Sequence, residues 1–168
     1  MKRLREVIDG LLGWSICLLM AVMVINVLWQ VFTRFVLRHP SSFTEEAARY
    51  MMIWVGLLGS AYASGKKAHL ALDLVTARLH GARKRASELF IHSMVLLFAL
   101  AVLVGGGGRL VWIQLKLGQQ SAALEVKLGY IYLAVPLAGV FIAFYSILAL
   151  REAARGHNDA AHPPSGLN

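Results

Sequence analysis

Polar side chains that could form ion pairs or hydrogen bonds inside a membrane stand at the end of one apolar segment and the start of the next. They are Asn26, Gln30, Arg34, Glu45, Glu46 and Arg49. The first three are spaced four residues apart, so a helix places them in one stripe. Exposing a central arginine to lipid costs about 2.5–3.5 kcal/mol on insertion scales, and a polar stripe therefore favours protein contacts. For Arg34, whose side chain is long, snorkelling to the nearby interface is the alternative.

The two glutamates have a structural and a functional interpretation. Pro40 is expected to end the first helix, and Ser42 with Glu45 has the spacing of a capping box, so a second helix begins near Phe43. Both carboxylates then lie near the positive end of that helix dipole, which alone would favour them. The functional interpretation is that one of them also pairs with Arg34 or Arg49 and ties the two helices together at the membrane surface.

Other kinds of chemistry are poorly represented. The sequence contains no phosphate-binding loop, no metal-ligand spacing of His, Cys or Glu, and no nucleophile elbow. His92 is the one histidine within an apolar run, which disfavours haem ligation, and Cys17 is interpreted as a packing residue. We expect a protein that is not an enzyme and that holds no cofactor and no metal.

The segments that position these residues are long and apolar. Hydrophobic residues make up 58% of the 168, and the mean hydropathy is +0.61. Residues 11–33, 89–108 and 129–150 carry no charge, and the segment between Glu46 and Lys66 is interrupted only by Arg49. Each run has about 20 residues or more, enough for a helix to cross roughly 30 Å of hydrocarbon.

These runs predict an all-α integral membrane protein with four transmembrane helices in one domain, 1–155. The expected spans are 11–35, 44–65, 88–108 and 129–150. A cleaved signal peptide is the alternative for the first run, but the run is long and no small-x-small site follows it, so a retained span is favoured. The polar tail, 156–168, is expected to be disordered.

Two features suggest how the spans pack or bend. The second span carries Gly56, Ser60 and Ser64 on one face, with Gly59 and Ala63 beside it, and such small residues let helices approach closely in lipid. The neighbouring helix could belong to this chain or to a partner. The four glycines at 105–108 form a packing site, a bend or a frayed end, and Pro136 is expected to kink the fourth span.

The charges predict a surface helix and an orientation. Residues 69–86 repeat Leu72, Val75 and Leu79 at helical spacing, which indicates a short amphipathic helix on anionic lipid, with an ordinary basic loop as the alternative. Its anchoring residues would be His69, Asp73, Arg78, Arg83, Lys84 and Arg85.

Eleven Lys and Arg flank the spans on the side of the two termini and six on the other side, so both termini are expected to be cytoplasmic. The net charge of +8 is thereby assigned to membrane orientation and lipid and not to nucleic acid.

The order of these residues resembles one transporter family. The stretch EEAARYMMIWVGLLGSAYASGKKAHLALDLV follows Arg34 and is similar to the small, DctQ-like membrane subunit of tripartite ATP-independent periplasmic (TRAP) transporters. The matching positions are Glu45, Glu46, Arg49, Trp54, Gly59, His69 and Asp73. A weaker match, SAALEVKLGYIYLAVPLAG, shares Ser121, Leu124, Tyr132 and Pro136 but departs at 125–128, where the family often has a proline-containing turn. The resemblance covers about residues 25–150.

The resemblance implies a mechanical role in the bacterial inner membrane. A large, elevator-type membrane subunit would hold the substrate and sodium sites, and a periplasmic binding protein would deliver a solute, expected to be an organic acid. The small subunit would be a scaffold and part of the docking surface, with 40–46 and 119–127 approaching the binding protein. Its packing residues toward the large subunit would be Trp54, Gly56, Gly59, Ser60 and Ser64. The alternative is a stand-alone four-span protein such as a small channel or a membrane-bound electron carrier.

Overall fold

The computed structural model describes the backbone of residues 2–38, 41–76 and 82–155. It describes the side chains of the same ranges, apart from Lys2, Leu4, 67–85 and 154–155. The predicted tail, 156–168, lies outside the described residues.

The described residues are almost entirely helical. Helix α1 covers Lys2–Phe35, α2 covers Ser42–Thr76 and α3 covers Ala82–Phe98. A π-helical segment, Ala99–Gly106, joins α3 directly to α4, Gly107–Lys116. A connection at 117–127 leads to α5, Leu128–Tyr132, and α6, Ala134–Arg155. Within the described ranges the extended pairing is limited to one bridge between Gln120 and Lys127, which confirms the all-α prediction.

Three stretches of the described residues are long and apolar enough to cross a membrane. They are Arg5–Phe35, Ala86–Lys116 and Leu128–Ala153, and they contain the predicted first, third and fourth spans. Helix α2 is not among them, because Arg49, Lys66, Lys67 and several small or hydroxyl-bearing residues lower its hydropathy. The fourth crossing therefore remains a prediction.

The boundary predicted at His69 differs from the observed one. Helix α2 continues through Thr76, and α3 begins at Ala82, so 69–76 extend the second helix and do not start a separate surface helix. Gly65 lies within α2 at a close helix contact, where a Cβ would lie 2.7 Å from the Tyr145 ring. Residues 77–81 lie outside the described residues.

The helices pack in an order that differs from their order in the chain. Helix α2 packs on α1 and on α6, and α6 packs in turn on the α3–α4 stretch. The inner position of α6 is reflected in its burial: 44% of its most apolar window is buried, against 6% for α1 and 11% for the α3–α4 stretch. The packing order is thus α1, α2, α6, α3.

Glycines bring α6 close to the stretch before it in the chain. A Cβ at Gly107 would lie 2.8 Å from Val135 Cγ1, and one at Gly139 would lie 2.6 Å from the Cβ of Leu103. The run at 105–108 therefore lies within a continuous helix and contains a packing position, so it is not a frayed end. The π-helical geometry ends at Gly106, inside that run.

Proline divides the last membrane stretch. Pro136 has no N–H, so it cannot bond the carbonyl of Tyr132, four residues earlier. The helix is interrupted at Leu133, between α5 and α6, which is one turn before the position where the sequence predicted a kink.

Candidate functional site

Two polar clusters lie at opposite ends of these helices. The connection end comprises the end of α1, the start of α2 and the connection at 117–127. The terminal end comprises the start of α1, Gly65 and Lys66 of α2, and the end of α6. The first is the candidate functional site, because the glutamates identified from sequence lie there.

Glu46 holds the connection against α2. Its Oε2 accepts hydrogen bonds from the backbone N–H groups of Ala123, at 2.7 Å, and Leu124, at 3.3 Å. Its Oε1 accepts one from the phenol of Tyr50 at 2.8 Å. Backbone N–H groups that point at a carboxylate form charge-assisted hydrogen bonds. One side chain in the second turn of α2 therefore restrains a loop that lies 77 residues away in the chain.

These donors favour the ionised form of Glu46. The hydroxyl of Ser121, the phenol of Tyr50 and the two backbone N–H groups outweigh the opposing effect of desolvation and lower the pKa of Glu46 from 4.5 to about 2. Ser121 itself is buried. At neutral pH Glu46 therefore carries a full negative charge, and these donors hydrogen-bond to it.

The connection also has hydrogen bonds of its own. The N–H of Ser121 donates to the carbonyl of Val126 at 2.9 Å, and the N–H of Leu128 donates to that of Gln119 at 3.0 Å. Glu125 adopts a left-handed conformation, with φ of 55°, in the segment where the sequence departs from the family's proline-containing turn. The loop is thus closed on itself and then fixed to α2 by Glu46.

Asn26 links α1 to α2 at the same end. Its Nδ2 donates to the backbone carbonyl of Thr44 at 2.7 Å. Glu45 pairs with Arg49 at 3.3 Å within α2, so that ion pair does not join the helices. The guanidinium carbon of Arg34 lies 6.0 Å from the ring centroid of Phe35, and Gln30 is half-buried. The hydrogen bond of Asn26, and not an ion pair, is the observed polar link between α1 and α2 here.

The cluster at the terminal end was not predicted from the sequence. Arg5 donates to the carbonyl of Gly65 at 3.0 Å and lies 3.6 Å from a carboxylate oxygen of Glu152. The phenol of Tyr145 donates to Asp9, whose other oxygen lies 4.0 Å from Lys66 Nζ. These contacts connect α1, α2 and α6. Opposite charges near the ends of apolar helices were the signal that could have indicated them.

The small residues predicted to pack on a partner form an open face in this chain. Nothing lies within 4 Å of a Cβ added at Gly56 or Gly59. The hydroxyls of Ser60 and Ser64 donate to carbonyls of their own helix, those of Leu57 and Ser60. We call Gly56, Gly59, Ser60 and Ser64 the open face of α2. Trp54 instead packs against the internal core of Leu12, Leu58 and Tyr145.

The predicted lipid anchors are only partly described. His69 and Asp73 lie in the backbone of α2, and Arg83, Lys84 and Arg85 in that of α3, but their side chains and the whole of Arg78 lie outside the described residues. Their role stays a prediction. Over the ranges whose side chains are described, no cluster of three His, Cys, Asp or Glu residues is suited to holding a metal ion.

Comparisons with known proteins point to one transporter family. Residues 22–156 match the family described as "Tripartite ATP-independent periplasmic transporters, DctQ component". The sialic acid TRAP transporter small permease protein SiaQ of Vibrio cholerae is 29% identical over 153 residues, which cover 86% of this chain and 82% of the relative. A putative TRAP transporter small permease protein of Haemophilus influenzae is 27% identical over 152 residues, which cover 89% and 91%.

Proposed function

Since the chain belongs to the DctQ-component family of the TRAP transporters, we propose that it is the small membrane subunit that supports a large membrane subunit during solute uptake. The described contacts join helices to one another and to a loop. They suit a protein whose work is to hold a membrane assembly in one shape.

The open face of α2 is the observation that carries the scaffold proposal. Gly56 and Gly59 have free space above them, although glycine in a helix is unfavourable by roughly 0.8–1.0 kcal/mol relative to alanine. Small residues promote association of membrane helices, because they allow backbones to approach closely. We propose that a helix of the large subunit occupies this face.

The arrangement of the helices supports the same role. Helix α1 packs chiefly on α2 and exposes Trp14, Leu18, Ile25 and Trp29. Apolar side chains of this size require lipid or another protein around them. The small subunit would therefore enlarge the immobile part of the membrane complex while the large subunit moves.

The orientation follows from the charges. We propose that α2 crosses the membrane with its apolar part, 50–65, which makes four crossings in all. The connection end then faces the periplasm, and both termini face the cytoplasm, as the excess of Lys and Arg on the terminal side predicts. Residues 69–86 would contact anionic headgroups of the inner membrane.

The remaining parts of the proposal concern transport itself. The periplasmic binding protein would dock transiently at the connection end, and uptake would be coupled to sodium and directed to an organic acid. The substrate and ion sites would belong to the large subunit. A stand-alone channel or electron carrier is the competing function, and isolation of the protein distinguishes the two.

The experiment is purification of the tagged chain from its native membrane in mild detergent, with mass spectrometry of whatever accompanies it. We expect a stoichiometric, larger multi-span protein. The Gly56→Leu variant should reduce the amount of that protein several-fold. Gly108→Leu is the matched control, because Gly108 also has open space around it but lies outside the open face of α2.

Two results would contradict the proposal. A chain that purifies alone as a stable homo-oligomer would favour the channel or carrier function. An intact complex with normal uptake in Gly56→Leu would remove the open face of α2 from the contact with the large subunit.

A further inference from the structure

The connection at 119–127 combines two properties. It exposes polar side chains, yet its backbone is fixed to α2 through a carboxylate. We infer that Glu46 is a positioning residue for docking: it holds the connection in the conformation that the periplasmic binding protein recognises. The inference rests on the proposed function and concerns the docking surface of that same assembly.

The geometry assigns the restraint to Glu46 specifically. Ala123 and Leu124 lie in the turn of the connection, and both of their N–H groups point to one oxygen, Oε2. Tyr50, one turn further along α2, orients the carboxylate through Oε1. Glu45, its neighbour, is exposed and contacts Arg49 in its own helix. Adjacent residues of identical charge therefore differ in whether they touch the loop.

The exposed groups of the connection suit a soluble protein partner. Gln119, Gln120, Glu125 and Lys127 are exposed, whereas Ser121 is buried. Polar groups of this kind would be costly against hydrocarbon, and a wet protein interface accommodates them.

The charge of the connection end favours an acidic partner surface. Besides Arg49 with its Glu45 partner, the exposed cations described at this end and at the adjoining end of α4 are Arg34, Arg38, Lys116 and Lys127. Among the described residues of this end, the remaining exposed carboxylate is that of Glu125. Complementary charge accelerates encounter and fixes orientation. We therefore expect carboxylates on the face of the binding protein that meets the connection.

A preorganised loop strengthens docking because its ordering entropy has already been lost. Ordering an interface loop and its side chains opposes association, and a restraint present in the free subunit reduces that penalty. Glu46→Gln keeps the size of the side chain but replaces one acceptor oxygen by an amide donor and removes the charge. The loop should then sample more conformations, and docking should weaken.

The test uses the complete complex in proteoliposomes, titrated with substrate-loaded binding protein. We expect Glu46→Gln to raise the half-saturating concentration of binding protein several-fold while the maximal uptake rate stays close to that of the unmodified complex. Glu6→Gln, which removes an exposed carboxylate at the terminal end, is the control and should leave both values unchanged. Amide hydrogen exchange at 121–126 should accelerate in Glu46→Gln alone.

Distinct outcomes overturn distinct statements. Faster exchange in Glu46→Gln with an unchanged half-saturating concentration would overturn the inference and leave the proposed function intact. An unmodified complex whose uptake ignores the binding protein would contradict the proposed function itself.

A second variant keeps the test decisive if Glu46→Gln lowers the yield of complex. Lys127→Glu leaves Glu46 in place and reverses one exposed charge of the connection. It should also raise the half-saturating concentration, and an unchanged value would overturn the inference. If the effect of Lys127→Glu disappears in liposomes without anionic lipid, Lys127 contacts lipid headgroups and not the binding protein. That result would also overturn the inference.

Discussion

Tyr145 and Asp9 are 136 residues apart in the chain, and the phenol of the first donates a hydrogen bond to the carboxylate of the second. Tyr145 is 3% exposed and belongs to the internal core. The contact joins the middle of α6 to the start of α1. It is reinforced by Lys66 beside Asp9 and by Arg5 between Gly65 and Glu152. At the terminal end, hydrogen bonds and ion pairs therefore connect α1, α2 and α6, whereas the open face of α2 has no contacts at Gly56 and Gly59.

Loss of the Tyr145 hydroxyl should destabilise the subunit. A hydrogen bond to a charged group contributes about 1.5–3 kcal/mol, and Tyr145→Phe leaves Asp9 with the more distant Lys66. We expect a lower midpoint of thermal unfolding for the purified complex, measured by static light scattering or fluorescence. Tyr130→Phe is the control, since Tyr130 is 54% exposed. Equal midpoints for the two variants would contradict a stabilising role of the bond.

Alanine at Gly65 should separate α2 from α6. A Cβ there would lie 2.7 Å from two atoms of the buried Tyr145 ring. Overpacking of this kind lowers the free energy of unfolding by about 1–3 kcal/mol. Thermal unfolding and the yield of folded protein in detergent measure the effect. Gly56→Ala provides the comparison, because its Cβ enters open space and alanine favours the helix. The prediction fails if both alanines are tolerated equally.

Removal of the Asn26 amide should loosen the contact between α1 and α2 at the connection end. Hydrogen bonds between membrane helices contribute about 0.6 kcal/mol on average and up to about 1.7, so Asn26→Ala is expected to be mildly destabilising. Disulfide trapping between cysteines introduced near the ends of α1 and α2 reports the separation directly. Gln30→Ala, in the same stripe, should change the trapping yield less. A larger change for Gln30→Ala would show that the stripe is held elsewhere.

The restraint on the connection should depend on pH in a defined direction. Because the pKa of Glu46 is lowered from 4.5 to about 2 in the folded protein, its stabilising contribution is fully present above about pH 4.5 and is lost as the pH falls toward 2. Protease sensitivity of the connection should rise over that interval. In Glu46→Gln the sensitivity should already be high at neutral pH and should change little with acidification. A parallel rise in both proteins would assign the transition to other groups.

The partners of the two glutamates show where sequence reasoning reached its limit. Their place at the start of α2 and the Glu45–Arg49 spacing were readable, because residues four apart on a helix are neighbours. The donors to Glu46 were not readable, since they are backbone groups of a loop and carry no side-chain signature. The same limit applies to the hydrogen bond of Asn26, whose acceptor is the carbonyl of Thr44.

Length and composition by themselves determined that the chain is helical and apolar enough for a membrane, because runs of about 20 uncharged residues leave the backbone no other way to satisfy its hydrogen bonds in lipid. The order of charged and small residues further indicated the family. Tertiary structure alone decided which helix lies inside: α6 packs between α2 and the α3–α4 stretch, because Gly65, Gly107 and Gly139 permit close approach there. That placement brings Tyr145 to Asp9 and the connection to Glu46, contacts that span 136 and 77 residues of chain.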